Sequence, residues 1–187
     1  MQAGTSVSGI PQSLGGAVDD FALRDLAGVE RRLSDFLSAK KGAVVIFWSG
    51  ICSHCVRYDG YLNGFTSRHP ELGLVAVASR QGETPDQIGK SAAQRGLTFP
   101  LLLDPAASVA ARWSTQQTPR AFLIDAGRVL LYRGAIDNYK YKGDPDYVAY
   151  LEPAIGEFLA GLPIGRPETQ SFGCAIQSVY YILPKNL

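Results

Sequence analysis

The sequence predicts a three-layer α/β domain built around a mixed sheet. Three observations carry the prediction. Residues 43–48 and 72–78 are continuous apolar runs, the pattern of strands buried on both faces. Segments with helix signals alternate with these runs. The chain then closes with two adjacent strand-like stretches, 120–124 and 129–133, and an amphipathic segment at 147–160.

Taken in order, residues 1–16 are rich in Gly, Ser and Gln and read as a flexible lead-in. Alternating apolar positions between Phe21 and Glu30, with Gly28 at a turn, predict a hairpin. Ser34 is placed as the N-cap of a short helix carrying Leu33, Phe36 and Leu37. After the strand at 43–48, Gly50 interrupts. A helix is expected over 53–67 from the spacing of Val56, Leu62 and Phe65, weakened at Gly60 and Gly64. Residues 72–78 form the next strand. Thr84 and Pro85 open a helix that stops at Gly96, since proline suits the first helical position. A short strand follows at 99–103, and Asp104-Pro105 caps a short helix ending near Trp113. Residues 120–124 and 129–133 pair through a turn at 125–128. A polar, aromatic loop at 139–146 leads to the last helix, 147–160. Its apolar stripe comprises Val148, Leu151, Ile155, Phe158 and Leu159, and Pro153 costs regularity inside it. The resulting division is a lead-in at 1–16, one domain at 17–161 and a C-terminal extension at 162–187 that packs on or follows the domain.

Composition narrows the function classes. The chain has 187 residues, 46% hydrophobic and 19% charged, with a formal net charge of +1. That balance gives no electrostatic case for nucleic acid or an anionic membrane surface. No apolar stretch approaches the ~20 residues of a membrane helix, so membrane insertion is not expected. Three cysteines are too few for a disulfide-stapled fold.

Chemistry concentrates at Cys52-Ser53-His54-Cys55, directly after the first buried strand. Two cysteines two residues apart close into a disulfide, and a helix starting at Cys52 would favour its thiolate through the helix dipole. Cys52 is therefore the expected nucleophile and Cys55 the deeper, resolving thiol. Ser53 and His54 are the tuning positions. His54 supplies positive charge and a hydrogen bond to Cys52, or else is an exposed bystander. Cys52, His54 and Cys55 are also three ligands of a metal-site type, without the fourth that a structural zinc site takes. Thr118-Pro119 is the second piece. If the peptide is cis and faces Cys52, the Thr118 backbone can pair with an extended substrate segment; the alternative is an ordinary trans proline at a strand start.

The combination Trp48-Ser49-Gly50-Ile51-Cys52-Ser53-His54-Cys55 with Thr118-Pro119 resembles the thioredoxin-fold redoxins, the AhpC/TSA-like and TlpA/ResA-like proteins. The hairpin segment from Asp20 to Gly28 and the extra helix and strand between Ser79 and Thr118 are similar to that branch as well. The resemblance implies a thioredoxin-like α/β/α fold with an N-terminal hairpin and a redoxin-type insertion. It implies a thiol–disulfide oxidoreductase with nucleophile Cys52, resolving thiol Cys55 and a cis Thr118-Pro119. Trp48, Thr118 and Pro119 would form the docking surface. The expected partners are protein thiols or disulfides and a redox partner protein, with no dissociable cofactor. An extracytoplasmic bacterial location is implied, with no signal segment in this chain; a cytosolic start stays open. Three departures alter the pattern. Ile51 replaces a second Trp, Ile46 stands where thioredoxin has a buried Asp, and Ser53-His54 resembles the more oxidising Pro-His dipeptide rather than Gly-Pro.

Two rival functions remain from the residues. A peroxiredoxin-type thiol peroxidase needs a Pro-x-x-x-Thr-x-x-Cys setting, which residues 47–51 do not supply. A non-catalytic module for metal or haem-protein maturation would use Cys52, His54 and Cys55. Cys174 stands apart in the tail, as a buried small residue, a partner in a structural or intermolecular disulfide, or a third redox thiol exchanging with Cys52.

Overall fold

In the computed structural model, which describes residues 13–177, the expected hairpin forms from β1 (Ala22–Asp25) and β2 (Glu30–Arg32). Gly28 sits at φ 81°, a left-handed conformation that glycine adopts without steric cost. A 3-10 turn, Leu33–Phe36, follows. Its cap is Arg32 rather than Ser34, because Asp35 accepts the Arg32 N–H at 2.9 Å. The Ser34 side chain is engaged elsewhere and donates to Asp20 at 2.9 Å.

β3 (Gly42–Trp48) and β4 (Leu72–Ala78) run parallel through the middle of the sheet, every residue buried. Alternation explains the unbroken apolar pattern. Val44, Ile46 and Trp48 join the cluster on one face of the sheet, and Ala43, Val45 and Phe47 join the cluster on the other. Between these strands lie three short helices, α1 (Ser53–Val56), α2 (Asp59–Asn63) and α3 (Phe65–Arg68), instead of one continuous helix. The break between α2 and α3 falls on Gly64.

α4 (Pro85–Gln94) starts as expected. Thr84 and Gln87 exchange side-chain and backbone hydrogen bonds at its N-terminus. β5 (Leu101–Leu103) pairs parallel with β4 and antiparallel with β1. Asp104 does cap α5 (Ser108–Arg112), through a carboxylate that accepts the N–H groups of Ser108, Val109 and Ala110. β6 (Gln117–Thr118), β7 (Arg120–Asp125) and β8 (Leu130–Gly134) follow, β7 and β8 forming the expected hairpin. The main sheet has the order β2-β1-β5-β4-β3-β7-β8.

The last helix, α6 (Leu151–Leu159), begins four residues later than the sequence suggests. Pro153 is the reason. It falls in the first turn, where its missing N–H has no intrahelical partner to lose. Val148 is consequently an exposed loop residue and not part of the apolar stripe. Gly161 ends the helix at φ 71°.

Residues 162–177 of the extension lie on the domain, and residues 178–187 lie outside the described residues. Arg133 and Thr169 and Pro167 exchange backbone hydrogen bonds along β8, and β9 (Cys174–Ala175) pairs antiparallel with β6. Ile176 is 2% exposed within the cluster that holds Phe47 and Trp113. At the other terminus, residues 1–12 of the expected lead-in lie outside the described residues. Gly15 and Gly16 are hydrogen-bonded to Leu130.

Candidate active site

The loop leaving β3 is held from two sides before it reaches Cys52. The buried carboxylate of Glu83 accepts the Ser49 hydroxyl at 2.8 Å and the Gly50 N–H at 2.7 Å. Arg95, the C-cap of α4, donates to Gly50 O at 2.8 Å, forms a two-pronged pair with Asp59 of α2, and lays its guanidinium 5.0 Å from the Trp48 ring centre. A Cβ on Gly50 would stand 2.5 Å from Glu83 Oε1 and 2.8 Å from Ser91 Oγ, so the clamp leaves room only for glycine. Neither Glu83 nor Arg95 was singled out from the sequence. A Glu next to a helix cap and an Arg in a last turn look like ordinary surface charges.

Cys52 caps α1, its carbonyl accepting the Cys55 N–H at 2.9 Å and the Val56 N–H at 3.3 Å. Cys52 and Cys55 are both fully buried free thiols. The Cys52 thiol donates to Thr118 O at 3.2 Å, and the Thr118-Pro119 peptide is cis. Cys52, Cys55, Thr118 and Pro119 are thus brought together as expected. Cys174 joins them through the register of β6 and β9, which sets it opposite Thr118.

The three thiols polarise one another. Contact with Cys55 is the largest influence on Cys52; burial opposes it, and contacts with Cys174 and Thr118 reinforce it. The result draws Cys52 from 9.0 down to about 4. Cys55 moves the other way, pushed well above 9.0 by burial and then by the neighbouring Cys52. Cys174 is also raised, by burial first and then by Cys52, with Arg80 opposing. α1 is only four residues long, so few peptide dipoles line up behind Cys52. Contacts with neighbouring groups add to what so short a helix supplies.

Two expected site residues sit differently. Trp48 is no docking residue: it is fully buried, its ring against Phe99, because the last residue of β3 lies between the sheet and the helical layer. Ile51, 59% exposed and directly before Cys52, is the large apolar side chain at the surface beside it. Ser53 is exposed, and the His54 ring meets Arg57 at 3.4 Å. His54 is not among the principal influences on Cys52. It lines a groove of about 500 Å³ together with Tyr58, Pro119, Ile136, Tyr139 and Phe172. Among the described residues, no three His, Cys, Asp or Glu side chains are grouped to hold a metal ion.

Ile46 is buried in the core, as an apolar residue in the middle of a central strand should be. The buried acid beside this loop is Glu83, supplied from the segment after β4.

The chain is 34% identical over 113 residues to the thiol-disulfide oxidoreductase ResA of Geobacillus kaustophilus, a stretch covering 60% of this chain. It spans 64% of that relative's length, less than two thirds. A solved structure of a hypothetical protein from Sinorhizobium meliloti matches with TM-score 0.78 at 30% identity, covering 88% of this chain and 93% of that one. A thiol:disulfide interchange protein DsbE from Chlorobium tepidum shares the thioredoxin-like fold with TM-score 0.58 at 23% identity, covering 65% of this chain and 84% of that one. The model of the AhpC/TSA family matches residues 14–133, a stretch that holds β1 to β7, both cysteines of the CxxC and the cis proline; the chain belongs to the AhpC/TSA family.

Proposed function

We propose that the chain is a thiol–disulfide oxidoreductase working through Cys52 and Cys55. The observation that carries this reading is the placement of two buried free thiols one helical turn apart, Cys52 at the helix start and bonded to Thr118 O of the cis Thr118-Pro119 peptide. Burial and the neighbouring thiol push Cys55 up while the contacts around Cys52 draw it down. In the reducing direction the Cys52 thiolate attacks one sulfur of a substrate disulfide, and the other substrate sulfur leaves as a thiolate. Cys55 then gives up its proton and attacks Cys52 Sγ. The substrate leaves as a dithiol, and the Cys52–Cys55 disulfide holds the two electrons' worth of oxidation. In the oxidising direction the same steps run backwards. A stabilised Cys52 thiolate favours the reduced protein and so makes its disulfide the more oxidising partner.

The substrates on this reading are protein thiols or disulfides. The exposed Ile51 and the groove beside Pro119 offer an apolar rim to an extended segment. A redox partner protein regenerates the pair, outside the bacterial cytoplasm as for the branch it resembles.

The test is exchange with a disulfide substrate protein followed by non-reducing electrophoresis. Cys52→Ser abolishes exchange, and Cys55→Ser/Cys174→Ser, which lacks both neighbouring thiols, accumulates a mixed disulfide. Turnover by Cys52→Ser equal to that of the unmodified protein refutes the assignment. Fast peroxide consumption by the reduced protein, with no exchange, replaces it with a peroxidase.

A further inference from the structure

The backbone edge of Thr118, where an extended substrate would pair beside Cys52, is already occupied. Residue 174 of the tail faces Thr118 in an antiparallel register, and Ala175 faces Gln117. The pairing continues with Ile176 N–H donating to Gln116 O at 2.9 Å, while Gln81 N–H donates to Ile176 O at 2.8 Å. Thr118 Oγ1 donates to Cys174 O at 3.5 Å. The approach is so close that a Cβ on Gly173 would stand 1.9 Å from Thr118 O. Within this strand the residue set opposite Thr118, whose carbonyl accepts the Cys52 thiol, is a cysteine. The tail is anchored on both sides of the contact. Thr169 Oγ1 accepts the Ala135 N–H at 3.0 Å and meets the Tyr132 hydroxyl at 2.7 Å, and Ile176 is buried.

We propose that residues 172–176 are a tethered stand-in for a substrate strand, and that Cys174 is a third redox thiol exchanging with the Cys52–Cys55 disulfide. The inference rests on the oxidoreductase reading, which supplies the oxidised pair. The Cys174 thiolate attacks Cys52 Sγ. A Cys52–Cys174 bond forms, the Cys52–Cys55 bond breaks, and Cys55 leaves as a thiolate that takes up the proton Cys174 gave up. The step is an isomerisation and needs no external oxidant. Oxidation itself favours it: once Cys52 is in a disulfide it carries no negative charge, and one of the influences holding Cys174 protonated is gone. The product locks the tail across the docking edge. External substrates then enter only after Cys55, or an incoming thiolate, reverses the exchange.

The experiment treats the full chain with oxidised glutathione, quenches with acid, blocks free thiols and maps disulfides by peptide mass. In Cys55→Ser, glutathione placed on Cys52 is expelled by Cys174, leaving a Cys52–Cys174 bond. The adduct decays at least about tenfold faster than in Cys55→Ser/Cys174→Ser, because a tethered thiol acts at high effective concentration. Gly173→Ala, which forces the tail off Thr118, loses the Cys52–Cys174 bond yet keeps Cys52–Cys55; circular dichroism confirms that it is folded. A lasting glutathione adduct on Cys52 in Cys55→Ser, with Cys174 blocked as a free thiol, overturns the proposal while leaving the oxidoreductase reading intact. Failure of Cys52 to form any disulfide in the unmodified protein removes both.

Discussion

The acidity of Cys52 sets a measurable pH signature. A thiol at 9.0 would be thiolate in about one part in 10⁴ at pH 5 and one part in 100 at pH 7. A thiol titrating at about 4 is already about nine-tenths ionised at pH 5 and essentially complete at pH 7. The ratio of alkylation rates at pH 7 and pH 5 is therefore about 1 for Cys52 as the structure describes it, against about 100 for an unperturbed cysteine. Taking a ratio cancels the slowing that burial imposes at both pH values. The assay is iodoacetamide labelling of the reduced protein, read at the Cys52 peptide so that Cys174 is scored separately. Cys55→Ala removes the largest stabilising contact and raises the ratio. A ratio near 100 in the unmodified protein refutes the account of a thiolate held by neighbouring thiols. The same arithmetic weighs attack against departure. At pH 7 the gain in thiolate is about two decades, while a Brønsted coefficient of about 0.4–0.5 acting over that shift costs about the same in nucleophilicity. By that arithmetic Cys52 gains little as an attacker and much as a leaving group.

Other outcomes follow from the clamp and the core. Glu83→Ala strands the Ser49 hydroxyl and the Gly50 N–H, and lowers stability by about 2–4 kcal/mol in chemical denaturation. Glu83→Gln keeps an acceptor and loses less. Arg95→Ala leaves Asp59, only 15% exposed on its side chain, without its guanidinium partner, and costs about 2–4 kcal/mol. Arg95→Lys recovers part of that loss, since an ammonium cannot make the two-pronged contact. Phe122→Ala empties a fully buried site edge-on to Phe47 and Trp113 and costs about 3–5 kcal/mol. It leaves the Cys52 alkylation ratio unchanged in the folded protein, which separates core damage from site damage.

The parts of the fold that could be read in advance are those written in local pattern. The runs containing Val45 and Val75 announce central strands because both of their faces are buried, and Thr84-Pro85 announces a helix start because capping is a short-range interaction. Position in space is what local pattern does not carry. Pro153 looked like an interruption until the helix start at Leu151 put it in the first turn. Ser34 had the chemistry of a cap, but Asp20, 14 residues earlier, holds its side chain. Resemblance places Trp48 on the docking surface, but the helical layer over the sheet covers it. At the site, spacing alone gave Cys52 and Cys55. Glu83 and Arg95 reach it from residues more than 30 positions away, and Cys174 through a two-residue strand too short for any periodicity. The contribution of the neighbouring thiols to the Cys52 acidity is hidden from the sequence for the same reason: contacts between thiols are properties of the folded chain.

The buried Ile176 gives the tail a second occupation. One short stretch, residues 174–176, both shields the Cys52 sulfur and plugs the core on the far face of the sheet. Cutting the chain ahead of it would not simply open the door to the thiol. It would also uncap the side chains around Phe47 and Trp113, so that a shortened protein, tested for freer access, would report its own loosening. Evolution meets the same coupling: mutations that relax the cover over the thiol are weighed against integrity of the whole domain, which ties the lifetime of the guard to that of the fold.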